Sequence, residues 1–545
     1  MIYIKKLILN NFKGYKGNIE FEFNPNKNIL IGDNGIGKTT IVQALRLLLK
    51  GSRFEFNGVS YLAKYINSEV KKQFENSNSH LVDELPYFSL IAVFGVEKED
   101  KNLKLKKFNG EYKDSTGIHS NEYGISFKYC FDDQFLSEYT NFINENKGRD
   151  TFTIPFSMYK TEHKTFAGNI YRSMMDPLKS IFIDNDNFEG NPFNMFARQI
   201  YNNLTTRERI TIESKFRLIN KTLFDNINNK NENQYHLNID PNSLKFDSIV
   251  DVSSKDVSLQ ELGSGKENLI KTQLSLDLDS KLIVIEEPEN HLTANNTRKQ
   301  IDQLNSLKNQ LIVTTHNSQI VTGLDLENLI WIRSLKEEKQ EVHFNEQLDE
   351  ETKEFFKRRD DIDFLRLLIA KKIILVEGAA EYILMRTFIK KSLGEDMSDY
   401  EILSMRGRYY APFIKLVEFS EGKMVIFTDN DSDVESDDNK GNRIAQIKNQ
   451  NTQYDSIKIF CDMNPNNFTF EVSEYESNKN KIDGEYPINK NARTFKYNKK
   501  DMPSRQLAFM LNNKSQSALL MRSRYENGTY NIPGYIEEGL KWLKE

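Results

Sequence analysis

Two cysteines, Cys130 and Cys461, are all that the 545 residues contain, and no CxxC spacing joins them. That excludes a disulfide framework and a structural zinc cluster, and it points to a reducing cytoplasm. The chain also lacks an apolar run long enough to cross a bilayer. Its first residues, MIYIKKLILNNF, do not form the apolar core of a secretory signal, so no membrane association is expected. Excess positive charge is missing as well. The formal balance is -5, which argues against a uniformly basic nucleic-acid coat, although 74 Lys and Arg leave room for a local basic groove. No heptad pattern continues for many turns, so a long coiled-coil arm is excluded, and no fixed-period repeat is visible. What remains is 38% hydrophobic and 28% charged, the balance of a globular chain. At this length one core is not enough, and roughly two to four domains are expected.

The organising stretch is Ile29 to Thr40, ILIGDNGIGKTT. Gly32-x-x-x-x-Gly37-Lys38-Thr39 fills every fixed position of the P-loop pattern. An apolar strand runs into it and an apolar helix (Ile41, Val42, Ala44, Leu45, Leu47, Leu48) runs out of it. Glycines such as Gly32, Gly35 and Gly37 let backbone N–H groups turn around phosphate oxygens, with Asn34 and Thr40 in the same cradle. Lys38 is expected to reach the β- and γ-phosphates of ATP, and Thr39 to hold Mg²⁺ through its hydroxyl.

Along the chain, Tyr3–Asn10 and Ile19–Phe23 read as two strands pairing into the sheet that delivers the P-loop. The apolar runs at Phe88–Val96, Leu103–Phe108 and Gly124–Tyr129 read as an antiparallel meander, and residues 132–160 give little signal. Asn191–Lys230 reads as helical, with Phe216, Ile219, Leu223 and Ile227 on one face and a capping box at Thr205-x-x-Glu208. It is either an inserted hairpin that pairs with a second copy or a helix packed on its own domain.

Two buried strands follow. KLIVIEE ends in acids, of which Glu286 can orient Mg²⁺ through its waters and Glu287 can polarise an attacking water. LIVTTH ends in His316, placed to sense a γ-phosphate. Strand, helix and strand with near-continuous apolar strands mean parallel pairing. Residues 346–370 read as a charged linker helix, with the boundary near Gln340–Lys357. A second α/β unit follows, with strands at Lys372–Val376, Glu401–Met405, Lys423–Thr428 and Ser456–Phe460. Glu377 ends the first of these and Asp429-x-Asp431 the third, so their carboxylates converge on one crevice. Grouped carboxylates need divalent cations, and hard oxygen ligands suit Mg²⁺ or Mn²⁺. Two ions about 4 Å apart clamp the attacking and leaving oxygens of a phosphodiester. Asp433, Asp437 and Asp438 read as a solvated charge run.

These motifs carry a resemblance. Glu286-Glu287-Pro288-Glu289-Asn290-His291-Leu292 resembles the EEPExHL segment of ABC-type ATPases in the SMC and Rad50 lineage. Thr315-His316-Asn317 resembles their switch-histidine loop. Glu261 to Asn268 looks like a degenerate ABC signature, LGSGKEN in place of LSGGQ. In that family Gly263, Ser264 and Gly265 would close over the γ-phosphate of a second subunit. In the C-terminal unit, LVEG-x-x-E followed by DxD resembles a Toprim domain.

An ABC-type ATPase followed by Toprim is the arrangement of the OLD (overcoming lysogenization defect) family, and the chain is identified as a member. The resemblance implies an α/β chain. Its parts would be a P-loop ATPase domain over 1–345 with an antiparallel β subdomain and the 191–230 insertion, then a Toprim nuclease domain over 371–545 with a C-terminal helical extension. It implies metal-dependent DNA cleavage with Glu377, Asp429 and Asp431 as ligands and Glu381 as a further acid, and it places Glu471 and Lys514 in the same pocket. It also implies a homodimer or higher homo-oligomer and a role in anti-phage defence. The partner there is a helicase-like protein, as in Gabija systems, or a reverse transcriptase with its nucleic acid, as in some retrons. The alternative is an ATP-switched DNA clamp or repair ATPase that cuts nothing itself.

Overall fold

A computed structural model of the chain describes residues 2–51, 59–77, 79–96, 105–113, 117–146, 152–183, 192–222, 250–254, 257–258, 264–276, 280–335, 338–344, 348–359, 361–394, 399–420, 422–432, 442–485, 496–497 and 500–545. They fall into two compact units, Met1–Asn345 and Glu346–Glu545.

The first unit has two sheets. One is antiparallel, built from β1 (Ile2–Asn10), β2 (Asn18–Glu22), β4 (Phe88–Val96), β5 (Asn109–Lys113), β6 (His119–Phe131) and β7 (Tyr159–Thr165), in the order β2-β1-β4-β6-β5 with β7 also on β6. The other holds β3 (Lys27–Ile31), β8 (Ile181–Ile183), β11 (Leu282–Glu286), β12 (Gln310–Thr314), β13 (Leu329–Leu335) and β14 (Glu338–His343), in the order β14-β13-β3-β12-β11-β8. All its pairs are parallel except β13 with β14. A short ribbon of β9 (Ser253–Ser254) and β10 (Val257–Ser258) stands apart.

Two expectations need correcting. The strands β1 and β2 do pair, but in the antiparallel sheet with β4, not in the sheet that delivers the P-loop. The run ending at Phe108 is not a strand: Leu105–Phe108 is a 3-10 turn, and β5 begins after it. The alternation in β1 is broken because the pairing with β4 shifts between Ile4 and Lys6, leaving Lys5 as an extra residue. Such a bulge changes the parity of the strand. Ile2 and Ile4 before it and Leu7 and Leu9 after it therefore join one core.

The P-loop helix, Lys38–Lys50, lies in that core. Ile41, Val42, Ala44, Leu45, Leu47, Leu48 and Leu49 are all buried, so it is apolar on nearly every side, as a helix enclosed by its neighbours must be. Gln310 ties the two sheets together. Its fully buried amide accepts from Ile4 N (2.8 Å) and donates to Ile4 O (2.8 Å) and Asn24 O (2.9 Å). Farther along, helices Pro192–Asn203 and Thr206–Thr222 lie in the expected insertion. Thr205 N donates to Glu208 Oε2 (2.7 Å) and Glu208 N to Thr205 Oγ1 (3.3 Å), closing the capping box. Leu223 and Ile227 lie outside the described residues.

The second unit is a parallel sheet of β15 (Lys372–Val376), β16 (Glu401–Ser404), β17 (Lys423–Phe427) and β18 (Ile457–Phe460) in the order β16-β15-β17-β18. Ile373, Ile374, Leu375 and Val376 are fully buried, since helices cover both faces of a parallel sheet. Where one charged helix was expected before β15, there are two, Glu350–Arg358 and Phe364–Ile369, capped by Asp349 and Asp363. Phe355 and Phe356 pack on Phe413, which places the first of them in this unit. Helices Arg505–Asn512, Lys514–Glu526 and Gly534–Lys544 complete it, and a ribbon of β19 (Lys496–Tyr497) and β20 (Lys500–Asp501) precedes them.

Candidate active site

Two chemical centres form, one in each unit, both at the carboxyl ends of parallel strands. This is where α/β sheets open a crevice.

In the first, the P-loop turns on glycines at φ 148° (Gly32), 79° (Gly35) and 118° (Gly37). A Cβ at Gly32 would lie 2.3 Å from Ile332 O, and one at Gly37 would lie 2.7 Å from the Tyr15 hydroxyl oxygen, so both contacts require glycine. Tyr15, buried under the loop, donates to Gly37 O at 3.2 Å. Lys38 is buried at the helix start. It donates to Gly32 O (2.8 Å) and Asp33 O (3.1 Å), closing the loop on itself. Burial lowers its pKa to about 8, against the opposing pull of Glu287, Asp33 and Glu289. Asn34, Gly35 and Thr39 are exposed, with Thr40 half-buried beside them.

Adjacent strands supply the rest. Glu286 ends β11 and is buried, while Glu287 follows it at φ 44° with its N–H on Thr314 O (2.9 Å). That turn faces Glu287 toward His316, whose Nε2 is 3.6 Å from Glu287 Oε1, and Asn290 donates to Glu287 Oε2 at 2.9 Å. Burial depresses His316, and Lys38 adds to this while Glu287 and Asp33 oppose it. Lys38, Glu287 and His316 thus share one electrostatic pocket. Glu289 builds it from behind, accepting from Thr315 Oγ1 (2.7 Å) and His316 N (2.8 Å). Gly263 lies outside the described residues. Ser264 and Gly265 open the helix Ser264–Leu276, which rests on helix Ala294–Ser306 through Gln300 and Thr272 (2.7 Å).

In the second centre, Glu377 follows β15 and Asp429 and Asp431 follow β17. Glu377 Oε2 accepts from Thr428 Oγ1 (2.9 Å) and Asp429 N (3.0 Å), so the two strand ends are stitched together by an acid. Asn430, between the aspartates, is buried. Its Nδ2 faces the carbonyls of Asp462 (2.9 Å), Asn464 (3.1 Å) and Asn467 (3.1 Å), which fixes the turn. Asp431 sits at φ 53° within that turn. Asp429 Oδ1 accepts from Phe470 N (2.8 Å) at the start of helix Phe470–Glu485, whose second residue is Glu471.

Glu471 is 1% exposed and meets Lys514 Nζ at 2.9 Å. Glu381, one turn into the helix after Glu377, is buried. Burial first, then Glu471 and Glu377, push it up to about 7. Burial, Glu377, Glu381 and Glu471 raise Asp429 well above the usual carboxylate range, and Lys514 opposes them. Burial works against the charge of Lys514, but the carboxylates of Glu471, Asp429 and Glu381 outweigh it and raise its pKa. Glu377, Glu381, Asp429, Glu471 and Lys514 therefore occupy one pocket, and Asp431, also buried, is linked to Glu377 through Arg408.

The donor set suits a hard divalent cation. It consists of carboxylate oxygens, buried and mutually repelling, with one ammonium among them. Among the described residues no three acidic, histidine or cysteine side chains yet surround one point at ligand distance.

Four residues escaped the sequence argument. Tyr15 and Asn430 act by position alone, which no motif encodes. Glu474, buried one turn beyond Glu471 and pushed up to about 8 by burial, had no marker. Arg408, in the loop after β16, reaches Asp431 Oδ2 (3.0 Å) and Glu377 Oε1 (3.6 Å), a pairing made only by the fold.

A P-loop ATPase site and a Toprim-type acidic site on one chain define the class. Residues 2–321 match the AAA_15 family, AAA ATPase domain, and residues 368–431 match the Overcoming lysogenization defect protein-like TOPRIM domain. The chain is 22% identical to Endonuclease GajA of Bacillus cereus strain HuB5-5 over 86% of its own length and 79% of that protein. It is 23% identical to Endonuclease GajA of Bacillus cereus strain VD045 over 78% and 74%. It is also 26% identical to the DNA replication and repair protein RecF of Clostridium acetobutylicum, over 40% of this chain and 55% of that one. The chain belongs to the OLD family of nucleases, with an ATPase domain preceding a Toprim domain. Among the described residues no helix is long and apolar enough to cross a membrane.

Proposed function

We propose that this chain is a divalent-cation-dependent DNA endonuclease whose C-terminal unit hydrolyses phosphodiesters and whose N-terminal unit binds ATP and controls that activity. The observation that carries the reading is the gathering of Glu377, Glu381, Asp429 and Glu471 opposite Lys514 at the carboxyl end of the two central strands. Four carboxylates around one ammonium must either keep protons, as the raised Glu381 and Asp429 do, or be balanced by cations. Glu377, Asp429 and Asp431 would hold Mg²⁺ or Mn²⁺, with Glu381 and Glu471 as the deeper acids. The bound cation supplies Lewis acidity at the scissile phosphate. Lys514, anchored by Glu471, stabilises the charge that develops on the phosphorane and leaving oxygen. The name endonuclease borne by two relatives spanning most of this chain supports the same chemistry.

In the ATPase unit, Gly32 to Thr40 cradle the phosphates, Thr39 and Glu286 serve Mg²⁺, Glu287 polarises water and His316 reads the γ-phosphate. The segment Gly263–Gly265 acts in trans, so a homodimer is the minimum assembly. The exposed Ile210, Ile212 and Leu218 of the helical insertion extend its contact. Nucleotide holds the nuclease quiet in a healthy cell. The setting is the cytoplasm and anti-phage defence, with a helicase-like protein or a reverse transcriptase and its nucleic acid as partner.

The test is cleavage of supercoiled and linear DNA with Mg²⁺ or Mn²⁺ by wild type, Glu377→Ala and Lys38→Ala. Wild-type cutting that Glu377→Ala abolishes is expected, and release from ATP inhibition in Lys38→Ala gives the sign of control. Equal cutting by Glu377→Ala would overturn the site. Cutting that rises monotonically with ATP would overturn the control.

A further inference from the structure

The loop after β16, Met405 to Tyr410, is held to the first acid strand by two backbone bonds, Met405 N to Val376 O (2.8 Å) and Gly407 N to Glu377 O (3.3 Å). Arg406 at φ 51° and Gly407 at φ 154° give it a sharp turn. Its two arginines point to different duties. Arg406 Nη1 pairs with Asp361 Oδ2 (3.2 Å), and Arg359 Nε grips Oδ1 of the same carboxylate (2.7 Å), so that group is structural. Arg408 is spent on the site itself, with Nη1 3.0 Å from Asp431 Oδ2 and Nε 3.6 Å from Glu377 Oε1. The two acids are 12% and 15% exposed, whereas Arg408 is 57% exposed. The guanidinium therefore covers them from the solvent side, where a DNA strand must approach.

We propose that Arg408 is an internal counter-ion that competes with the divalent cation for Glu377 and Asp431 and, once displaced, binds a phosphate of the DNA backbone. The proposal rests on the acidic pocket being the nuclease site. A guanidinium and a divalent cation cannot both neutralise the same two carboxylates, and the planar fork released from a carboxylate fits a phosphate equally well. The arm is long and exposed enough to swing without moving the sheet.

The test uses the full chain as wild type, Arg408→Ala, Arg408→Lys and Glu377→Ala. Mn²⁺ affinity is measured by calorimetry on protein alone. Affinity for a labelled duplex is measured in Ca²⁺ over a salt series. Arg408→Ala should bind Mn²⁺ about threefold to tenfold more tightly, because the competing ion pair is gone. It should bind DNA more weakly, with the slope of log K against log salt smaller by about 1. Arg408→Lys should fall between the two. Unchanged or weaker Mn²⁺ binding in Arg408→Ala, or an unchanged salt slope, overturns the proposal while leaving the site reading intact. If Glu377→Ala binds Mn²⁺ as the wild type does, the site reading fails and the proposal with it.

Discussion

Lys514 Nζ lies 2.9 Å from Glu471 Oε2, a half-exposed ammonium against a carboxylate that is almost fully buried. The pair joins the first residue of one helix to the second residue of another, and it is the positive edge of an otherwise acidic pocket. Replacing Lys514 by Met should lower cleavage by about 100-fold or more, the usual effect of losing a donor that faces developing negative charge. It should also lower the melting temperature, because Glu471 is left buried beside Asp429 and Glu381. Added Mn²⁺ should recover most of that loss, since a cation can take over the missing charge. Thermal scans with and without Mn²⁺ decide it: a variant whose deficit ignores the metal puts Lys514 outside the pocket's electrostatics.

The buried acids also set a pH dependence. Glu381 at about 7 and Glu474 at about 8 both lie above the ordinary value of 4.5, and Asp429 is raised as well. The folded protein then holds protons that the unfolded chain has released, so metal-free stability falls as pH rises from about 4.5 to 8. His163, driven down to about 4 by burial, works in the opposite direction below its ordinary 6.5. Above 6.5 the histidine no longer contributes, while Lys38, lowered to about 8 by burial, opposes the carboxylates only as pH nears 8. Between pH 6.5 and 8 the metal-free melting temperature should drop, and Glu381→Gln should drop less. Mn²⁺ affinity should climb over the same range, with proton release visible as a buffer-dependent heat. A flat profile in wild type would show that these acids are ionised throughout.

The contact between Tyr15 and Gly37 predicts how the P-loop fails. Gly37→Ala places a methyl against the Tyr15 ring at a φ of 118°. This strain of about 1–3 kcal/mol falls where the loop must wrap the phosphates. ATP binding should fall at least tenfold in Gly37→Ala, and only slightly in Tyr15→Phe, which keeps the ring and loses one hydrogen bond. Filter binding of labelled ATP separates the two. Equal loss in both would mean that the hydroxyl, not the shape, matters.

Much of this architecture was legible because parallel strands announce themselves. β11, β12, β15 and β17 are short, continuous apolar runs that end in the residues that matter, so strand and site came from the same letters. The antiparallel sheet was harder. A bulge at Lys5 reverses the parity of β1, and nothing local says which sheet β1 and β2 join. That is decided by pairing between Leu9 and Leu90, 81 positions apart, and in part by a glutamine 306 positions from Ile4. In the acidic pocket Glu377, Asp429 and Asp431 carry motif spacing. Glu471 and Lys514 came only through family resemblance, and Arg408, Asn430 and Glu474 are brought in by loops and helix faces whose geometry the sequence leaves open.

Gln310 makes the joint between the sheets testable. Its amide satisfies Ile4 N, Ile4 O and Asn24 O in a fully buried position. Gln310→Leu keeps the volume but removes the partner of Ile4 N and Ile4 O, while Asn24 O keeps its bond from Asn28 Nδ2 (2.9 Å). It should cost about 2–4 kcal/mol of stability in denaturant melts of the full chain, from roughly 1–3 kcal/mol per buried unsatisfied group with partial relaxation. Loss below 1 kcal/mol would mean that water enters the joint.

Asn430 offers the sharpest test of preorganisation, because its buried side chain bonds only to neighbouring backbone and yet fixes the turn that carries both flanking aspartates. Its amide N–H groups face three loop carbonyls, and its Oδ1 accepts from Ser432 N (3.1 Å). Asn430→Ala frees the loop. Asn430→Asp is worse despite being isosteric, because it turns a carboxylate toward three carbonyl oxygens and adds a fourth negative charge beside Glu377, Asp429 and Asp431. Mn²⁺ affinity should therefore fall about tenfold in the alanine variant, within the range seen when a group that orients metal ligands is removed, and further in the aspartate variant below pH 8. If the site were instead a loose acidic surface, an added carboxylate would raise Mn²⁺ affinity. The order of Asn430→Ala and Asn430→Asp in one calorimetric series therefore distinguishes a built site from an accidental one.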